Sequence, residues 1–204
     1  MIISLSGLIG SGKDTVAEML VEQHGFTRDS FAGTLKDAVS AIFGWNREML
    51  EGKTKEARAQ REIVDPWWSV RLNNPELSPR WILQHFGTEV CRTHLHTDIW
   101  VASLENKLRN LTEGNIVISD ARFTNELDML KNAGAQMICV SRGPKPFWWN
   151  TAIQAHTTPE AMAKMIALDI HKSEWDWADY NFDLHINNNK SLVELEQTVD
   201  LLVD

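Results

Sequence analysis

The sequence predicts an α/β fold: a parallel sheet of about five strands with helices on both faces. Short strand-like runs, at 2–6, 28–32, 115–119, 136–141 and 184–187, alternate with helix-period patterns at 13–24, 35–42, 80–94, 99–111, 125–133, 159–170 and 192–202. Such alternation implies parallel strands joined by right-handed crossovers. The first strand also runs through a glycine-rich stretch into the first helix. Finally, 204 residues without an internal repeat or low-complexity linker suit one domain with a full core.

The first element is Ile2-Ile3-Ser4-Leu5, followed by Gly7-Leu8-Ile9-Gly10-Ser11-Gly12-Lys13-Asp14-Thr15 and then the apolar-periodic Val16–Val21. Strand, G-x-x-x-x-G-K loop and helix form the context of a phosphate-binding loop. The glycines let successive backbone N–H groups turn inward on phosphate oxygens, and the helix start adds its positive dipole end. Lys13 supplies a cation for the β- and γ-phosphates. Asp14 stands where a hydroxyl commonly ligates Mg²⁺, and Thr15 brings the hydroxyl one position later. Nucleoside monophosphate kinases share that displacement, and it leaves the direct metal ligand open. Thr15 and Asp14 are candidates for Mg²⁺, through water if not directly. Asp14 orients such a water or simply serves as an acid in the first helical turn.

The second strand, 28–32, leads into the helix 35–42. From 44 to 79 the pattern weakens: charges dominate 47–61, and Asp65-Pro66 and Asn73-Asn74-Pro75 interrupt it. This stretch reads either as an acceptor-binding insertion or as a solvated helical excursion. In the helix 80–94, Gly87 permits either close approach of a ligand or helix packing. His94-x-His96-x-Asp98 has metal-like spacing, but no other ligand cluster supports it and its flanks are helical. The third strand, Ile116-Val117-Ile118-Ser119, ends in Asp120, at the edge where open parallel sheets bind ligands. Asp120 therefore holds Mg²⁺ through water, anchors a substrate, or caps the helix 125–133. Arg122 lies two residues on. Gly134 stops that helix before the strand 136–141, which ends at Arg142. Thr158-Pro159 predicts an N-cap with proline at the first helical position, and Ser191 with Glu194 predicts a capping box.

Composition narrows the function classes. A net charge of −8 argues against a general nucleic-acid groove. Two cysteines make no disulfide framework, there is no signal-peptide pattern, and no apolar run reaches membrane-spanning length. A cytoplasmic protein is expected, in the host cytoplasm if the chain is phage-encoded. Nine tryptophans, several in adjacent pairs, serve core or lid packing or stack on a nucleobase. Homodimerisation stays open.

An ordered set of segments resembles the phage-type deoxynucleoside monophosphate kinases: 7–15, 32–38, 80–89 with Leu83-Gln84-His85-Phe86-Gly87-Thr88-Glu89, 99–101, 120–126, 134–142, 171–174 and 186–192. The stretch 44–79 matches least. The resemblance implies a P-loop nucleoside monophosphate kinase-like fold with core 1–43, 80–142 and 182–204, an acceptor-binding insertion at about 44–79 and a lid at about 143–181. It implies transfer of the ATP γ-phosphoryl group, with Mg²⁺, to a 2′-deoxynucleoside 5′-monophosphate. ATP would be held by Gly10, Ser11, Gly12, Lys13, Asp14 and Thr15, with Arg142 near the transferred phosphate and Asn187 and Asn188 near the adenine. The acceptor would meet Lys36, Asp37, Arg80, Thr88, Trp100, Asp120, Arg122 and Glu126. Catalytic charge would come from Lys13, Arg80, Arg122, Arg142 and Lys172, the last because the lid carries no arginine. Metal-ligating candidates are Thr15, Asp14 and Asp120. Two other readings fit the loop alone: a kinase for another small metabolite such as dephospho-coenzyme A, or a P-loop ATPase or switch without an acceptor.

Overall fold

A computed structural model describes residues 1–203. The chain folds as two compact units, one of Met1–Ser30 with the chain from Lys107 onward, the other Phe31–Asn106.

The first unit is built on a five-stranded parallel sheet of order β2-β3-β1-β4-β5. The strands are β1 (Ile2–Ser6), β2 (Phe26–Asp29), β3 (Asn115–Ile118), β4 (Gln136–Ser141) and β5 (Leu184–Asn187). Register is set by pairs such as Ile3↔Val117 and Leu5↔Ile138. The inner strands β3, β1 and β4 are near-continuous apolar runs because a parallel sheet is covered on both faces, whereas the edge strands β2 and β5 are mixed in polarity and more exposed. The chain leaves β1 through α1 (Lys13–His24) toward β2, and leaves β3 through α8 (Thr124–Asn132) toward β4, in the opposite direction. Right-handed crossovers therefore put α1 and α8 on opposite faces. On the α1 face, Ile3, Leu5, Val16, Leu20, Val117, Ile138 and Val140 close a core with Leu195 and Val199 of α11 (Leu192–Val203). The order of connections reverses at β1, which places the crevice at its carboxyl end, where the glycine loop begins.

Between β4 and β5, α9 (Trp149–Ala155) and α10 (Pro159–Ala167) pack as a hairpin around their own small core of Ala152, Ala155, Ala161, Met165 and Trp175. A single 3₁₀ turn, Lys172–Glu174, follows.

The second unit is helical: α2 (Gly33–Phe43), α3 (Arg47–Glu51), α4 (Lys55–Glu62), α5 (Pro66–Arg71) and α6 (Pro79–Gln84), then a π-wound segment His85–Thr93 and the start of α7 (Ile99–Arg109). Its core is Leu35, Val39, Leu50, Leu77, Ile82, Cys91 and Trp100.

Several expectations need correction. The second strand is Phe26–Asp29 and not 28–32, so Arg28 lies at its carboxyl end and not at its start. The helix expected over 80–94 changes winding at His85, where the hydrogen bonds lengthen to the π pattern. Asp65-Pro66 starts a helix instead of breaking one: the Asp65 carboxylate accepts from the N–H groups of Trp67 (3.0 Å) and Trp68 (2.9 Å), with Pro66 at the first helical position. Asn46, Thr54 and Ser78 cap α3, α4 and α6 in the same way. The weak pattern of 44–79 is therefore a run of short capped helices, too short to show a period. Thr158 precedes α10 without capping it by side chain, because its hydroxyl donates back to the Gln154 carbonyl (3.1 Å). The capping box at Ser191 and Glu194 forms as expected, at 3.3 Å and 3.2 Å. Gly134, in the left-handed conformation (φ 80°), follows the end of α8.

Most tryptophans are packing residues. Trp100, Trp149, Trp175 and Trp177 are buried, and Trp45 and Trp68 pack around Phe43, whereas Trp67 stays largely exposed. Cys91 and Cys139 are free and buried, and burial pushes both thiols above their usual range. Among the described residues, no group of three His, Cys, Asp or Glu could hold a metal, which includes the His94–Asp98 stretch. Among those residues, too, no helix is long and apolar enough to cross a membrane.

Candidate active site

In the first unit, the glycine loop has the backbone its sequence demands. Gly10 (φ 81°) and Gly12 (φ 92°) both take left-handed conformations that L side chains rarely adopt. Ser11 N–H bonds the Leu8 carbonyl (3.1 Å), and α1 begins at Lys13. A Cβ on Gly7 would run into the Val140 carbonyl, and one on Gly12 into the amide of Asn188. That amide donates to the Ser11 carbonyl (2.9 Å), and Asn188 itself is buried. The β5–α11 connection thus fastens the glycine loop through Asn188, the side chain that the resemblance also places near the adenine. Asn187 Oδ1 accepts from Asn189 Nδ2 (2.6 Å), and Asn189 Oδ1 accepts from Gly143 N–H (2.7 Å).

Three side chains meet beside the loop. Arg28, at the end of β2, donates to the Asp14 carboxylate and to Ser119 Oγ (2.6 Å), while Lys13 Nζ lies 3.5 Å from Asp14. Partial burial works to raise the Asp14 carboxyl, but Lys13 and Arg28 outweigh it and hold the group below its usual value. Asp14 is therefore a carboxylate charge-matched by Arg28. Arg28 is the residue that sequence reasoning missed. Placing the second strand two residues late put it at the far end of the sheet from the site; the correct register would have exposed it.

After β3, Asp120 is half-buried and Arg122 Nη1 donates to Glu174 Oε1 (2.8 Å). Glu126 is buried, and its carboxylate accepts from the backbone N–H groups of Arg122 (2.8 Å) and Phe123 (3.1 Å). It shapes the turn that presents Arg122. Asp176, also buried, accepts from the Thr124 N–H (2.9 Å) at the start of α8 and from Lys172 Nζ (3.1 Å). Glu174 and Asp176 thereby tie the end of the 143–181 segment to the 122–124 turn. Glu174 lies in the family-like segment 171–174, where the sequence singles out only Lys172, and Asp176 lies outside every matching segment. Arg142 is exposed at the end of β4 and has no ion-pair partner among the described residues.

In the second unit, Lys36 Nζ meets Glu51 Oε1 (2.8 Å), and Arg47 bridges Glu51 Oε2 (2.7 Å) and Asp37 (2.6 Å). Burial favours the neutral acid at Glu51, but the hydrogen bonds and charges of Lys36 and Arg47 lower it to about 2. Trp100 is buried and its indole donates to the Gly87 carbonyl (3.0 Å). Gly87 faces Leu35, whose Cδ2 would lie 2.8 Å from an added Cβ, so helix packing accounts for this glycine. Thr88 and Arg80 are exposed.

A model of the family described as deoxynucleotide monophosphate kinase matches residues 46–199, which leaves the glycine loop as a separate witness outside the matched span. A protein of Acanthamoeba polyphaga mimivirus assigned as a deoxynucleotide monophosphate kinase is 30% identical over 216 residues, covering 100% of this chain and 96% of its own length. The deoxynucleoside-5′-monophosphate kinase of Escherichia phage T5 is 28% identical over 179 residues, covering 64% of this chain and 72% of its own. Among solved structures, a shikimate kinase from Aquifex aeolicus aligns over 100% of this chain and 96% of its own, at 14% identity and a TM-score of 0.47, a likeness too loose to carry an argument. With the family model spanning most of its length and a relative aligned along all of it, the chain belongs to the deoxynucleotide monophosphate kinase family.

Proposed function

We propose that this chain moves the γ-phosphoryl group of ATP to the 5′-phosphate of a 2′-deoxynucleoside monophosphate. An oxygen of the acceptor phosphate bonds to the γ-phosphorus as the bond to the β–γ bridging oxygen breaks, giving ADP and the deoxynucleoside diphosphate. The observation that supports this most is the glycine loop, with its left-handed Gly10 and Gly12 and its backing amide at Asn188, in a chain of this family.

Such transfer asks for positioning and charge neutralisation more than covalent chemistry. The Gly10–Thr15 backbone cradles the donor phosphates, and Lys13 answers the charge that builds on the β- and γ-oxygens. Arg28 and Lys13 together hold Asp14 as a carboxylate, and Arg28 shares its charge so that Lys13 is not its sole partner. Arg142 and Lys172 add charge at the transferred group, and Asn187 lies toward the adenine. For the acceptor, Lys36, Asp37, Arg80, Thr88, Asp120 and Arg122 are the contacting candidates. Trp100 and Glu126, also placed at the acceptor by the resemblance, are buried and serve at least in positioning, Trp100 through its indole bond to the Gly87 carbonyl and Glu126 through Oε2 on the Arg122 and Phe123 N–H groups.

The donor set near the loop suits magnesium: a Thr15 hydroxyl and the carboxylates of Asp14 and Asp120 are hard oxygen ligands, and magnesium keeps several of its waters. Thr15 and Asp120 would hold it; Asp14, matched by Arg28, fits a water-mediated place. When bound, the ion screens phosphate charge.

The core, acceptor-binding insertion at about 44–79 and lid at about 143–181 belong to the same reading. The separate small core of α9 and α10 supports a lid that moves as one piece. A coupled assay of ADP formation against a panel of deoxyribonucleoside and ribonucleoside monophosphates tests the proposal. Deoxynucleoside monophosphates should drive ADP release. ATP turnover indifferent to every monophosphate would overturn it.

A further inference from the structure

Three arginines of the second unit gather with no carboxylate at ion-pair distance among the described residues. Arg61, in the last turn of α4, is half-buried; its Nη1 donates to the Leu50 carbonyl (3.3 Å), while its Nε is buried and has no partner among the described residues. Gly52 closes α3 in a left-handed conformation (φ 67°) directly against this guanidinium, and a Cβ there would collide with it. Arg58, one turn earlier on α4, donates through Nη1 to the carbonyls of Gly52 (3.1 Å) and Lys53 (3.1 Å). Arg80 opens α6, the helix against which α4 packs.

Burial, then the charge of Arg80, pulls the Arg61 guanidinium below its ordinary value, with Arg58 acting in the same sense; Glu62 and Glu51 offset this only in part. Glu51 is already held by Lys36 and Arg47. None of the three arginines has a carboxylate at ion-pair distance among the described residues. Clustered guanidiniums repel, and a buried donor without a partner calls for an explanation. Capping the end of α3 uses one Nη of Arg61 and one of Arg58. It leaves the Nε of Arg61 and the whole of Arg80 unexplained.

A tetrahedral dianion would answer this uncompensated charge. Each guanidinium presents a planar fork matched to two phosphate oxygens, and Arg58 and Arg80 are exposed while Arg61 is half-buried with its Nε closed off from solvent, so a bound anion would act on Arg61 through its outer edge and its charge. We infer that Arg61, together with Arg58 and Arg80, binds the phosphate of the acceptor monophosphate, so that the insertion helix α4 supplies acceptor-binding residues. This rests on the kinase reading above, in which Arg80 serves the acceptor. It adds Arg61 and Arg58, and it gives Gly52 the task of admitting the Arg61 head group.

Two measurements test it. In wild-type protein with ¹⁵N-labelled arginine, the Arg61 Nε–H resonance should shift on titration with inorganic phosphate and again with a deoxynucleoside monophosphate. In steady-state kinetics, Arg61→Gln should raise the acceptor KM about 10- to 100-fold, the loss of a charge-assisted contact. Its ATP KM should stay within about twofold, and Arg61→Lys should restore part of the loss. A silent Arg61 Nε resonance under both ligands, or an equal rise in both KM values, overturns the inference. If Arg61→Gln does not fold, the wild-type titration alone decides. If no monophosphate is turned over but inorganic phosphate still shifts Arg61, the kinase reading falls and the anion site stands.

Discussion

The glycine loop and the helices α2–α6 manage charge in opposite ways. The loop relies on backbone. Its N–H groups are aimed by two glycines that no other residue replaces without strain, and side chains such as Asn188 hold that backbone in place. The α2–α6 region relies on long side chains. Lys36, Arg47, Asp37 and Glu51 neutralise one another in a network, while Arg58, Arg61 and Arg80 have no acid at ion-pair distance among the described residues, and Glu62 and Glu51 offset their mutual repulsion only in part. A site made from backbone is rigid and reads phosphate as a class. A site made from side chains can be retuned by single substitutions. If, as proposed, the loop holds the donor and the α2–α6 region meets the acceptor, this division would fix the donor and leave the acceptor side open to retuning.

That contrast can be broken from the loop side first. Lys13→Ala should cut phosphoryl transfer by about 10³-fold or more, the cost of removing a preorganised charge from the transition state. The melting temperature should barely move. Near-normal turnover with ATP and a deoxynucleotide would remove the loop from the chemistry. On the side-chain half, Glu51 carries the next largest effect. Its carboxyl is lowered from 4.5 to about 2, so the stability it contributes is full above about pH 4.5 and is lost as pH falls toward 2. Wild type should lose up to about 3 kcal/mol across that window by urea unfolding, and Glu51→Gln should show a flatter acid limb. Parallel pH profiles would mean that the network is cosmetic.

Gly12→Ala sharpens the backbone half. It combines a left-handed residue with a collision against Asn188, and about 1–3 kcal/mol of destabilisation is expected, with weakened ATP binding. Adding Asn188→Ala should return part of the stability, because the obstruction is the amide; no recovery in thermal unfolding would place the whole cost in φ. Lys172→Ala is the smallest perturbation. Its ion pair with Asp176 joins an exposed ammonium, so stability should change by less than about 0.5 kcal/mol. If the 143–181 segment closes as a lid, kcat should fall while ATP affinity holds; equal losses in both would make Lys172 a donor-side contact instead.

Much of this molecule can be read from the chain alone. Three strands coincide with their apolar runs, and α1 follows from its 3.6-residue period and its glycine start. Those signals are local, set by sterics and by burial on two faces of a sheet. The family itself was legible in the order of short motifs, well before any contact was known. What the chain left open has a common cause. The helices at 44–79 are mostly shorter than two turns, so no period can accumulate, and their caps at Asn46, Thr54, Asp65 and Ser78 look like turn residues until the helices are seen. Glu126 and Trp100 are singled out because their segments match the family, but nothing in the chain foretold their backbone partners: the Trp100 indole meets the Gly87 carbonyl, and Glu126 Oε2 meets the N–H groups of Arg122 and Phe123.

By itself, then, the sequence determined the sheet class and the phosphate loop, since each rests on residue types at short spacing whose backbone requirements are nearly unconditional; the kind of reaction came with the family resemblance carried by the ordered motifs. Only the tertiary structure decided which charges are paired. Asp14 and Arg28 are 14 residues apart, Arg122 and Glu174 are 52 apart, and Asn188 reaches Ser11 across 177. Pairing over such distances depends on strand order and helix packing, which bring distant carboxylates, guanidiniums and amides within 3 Å, and no local pattern encodes that approach.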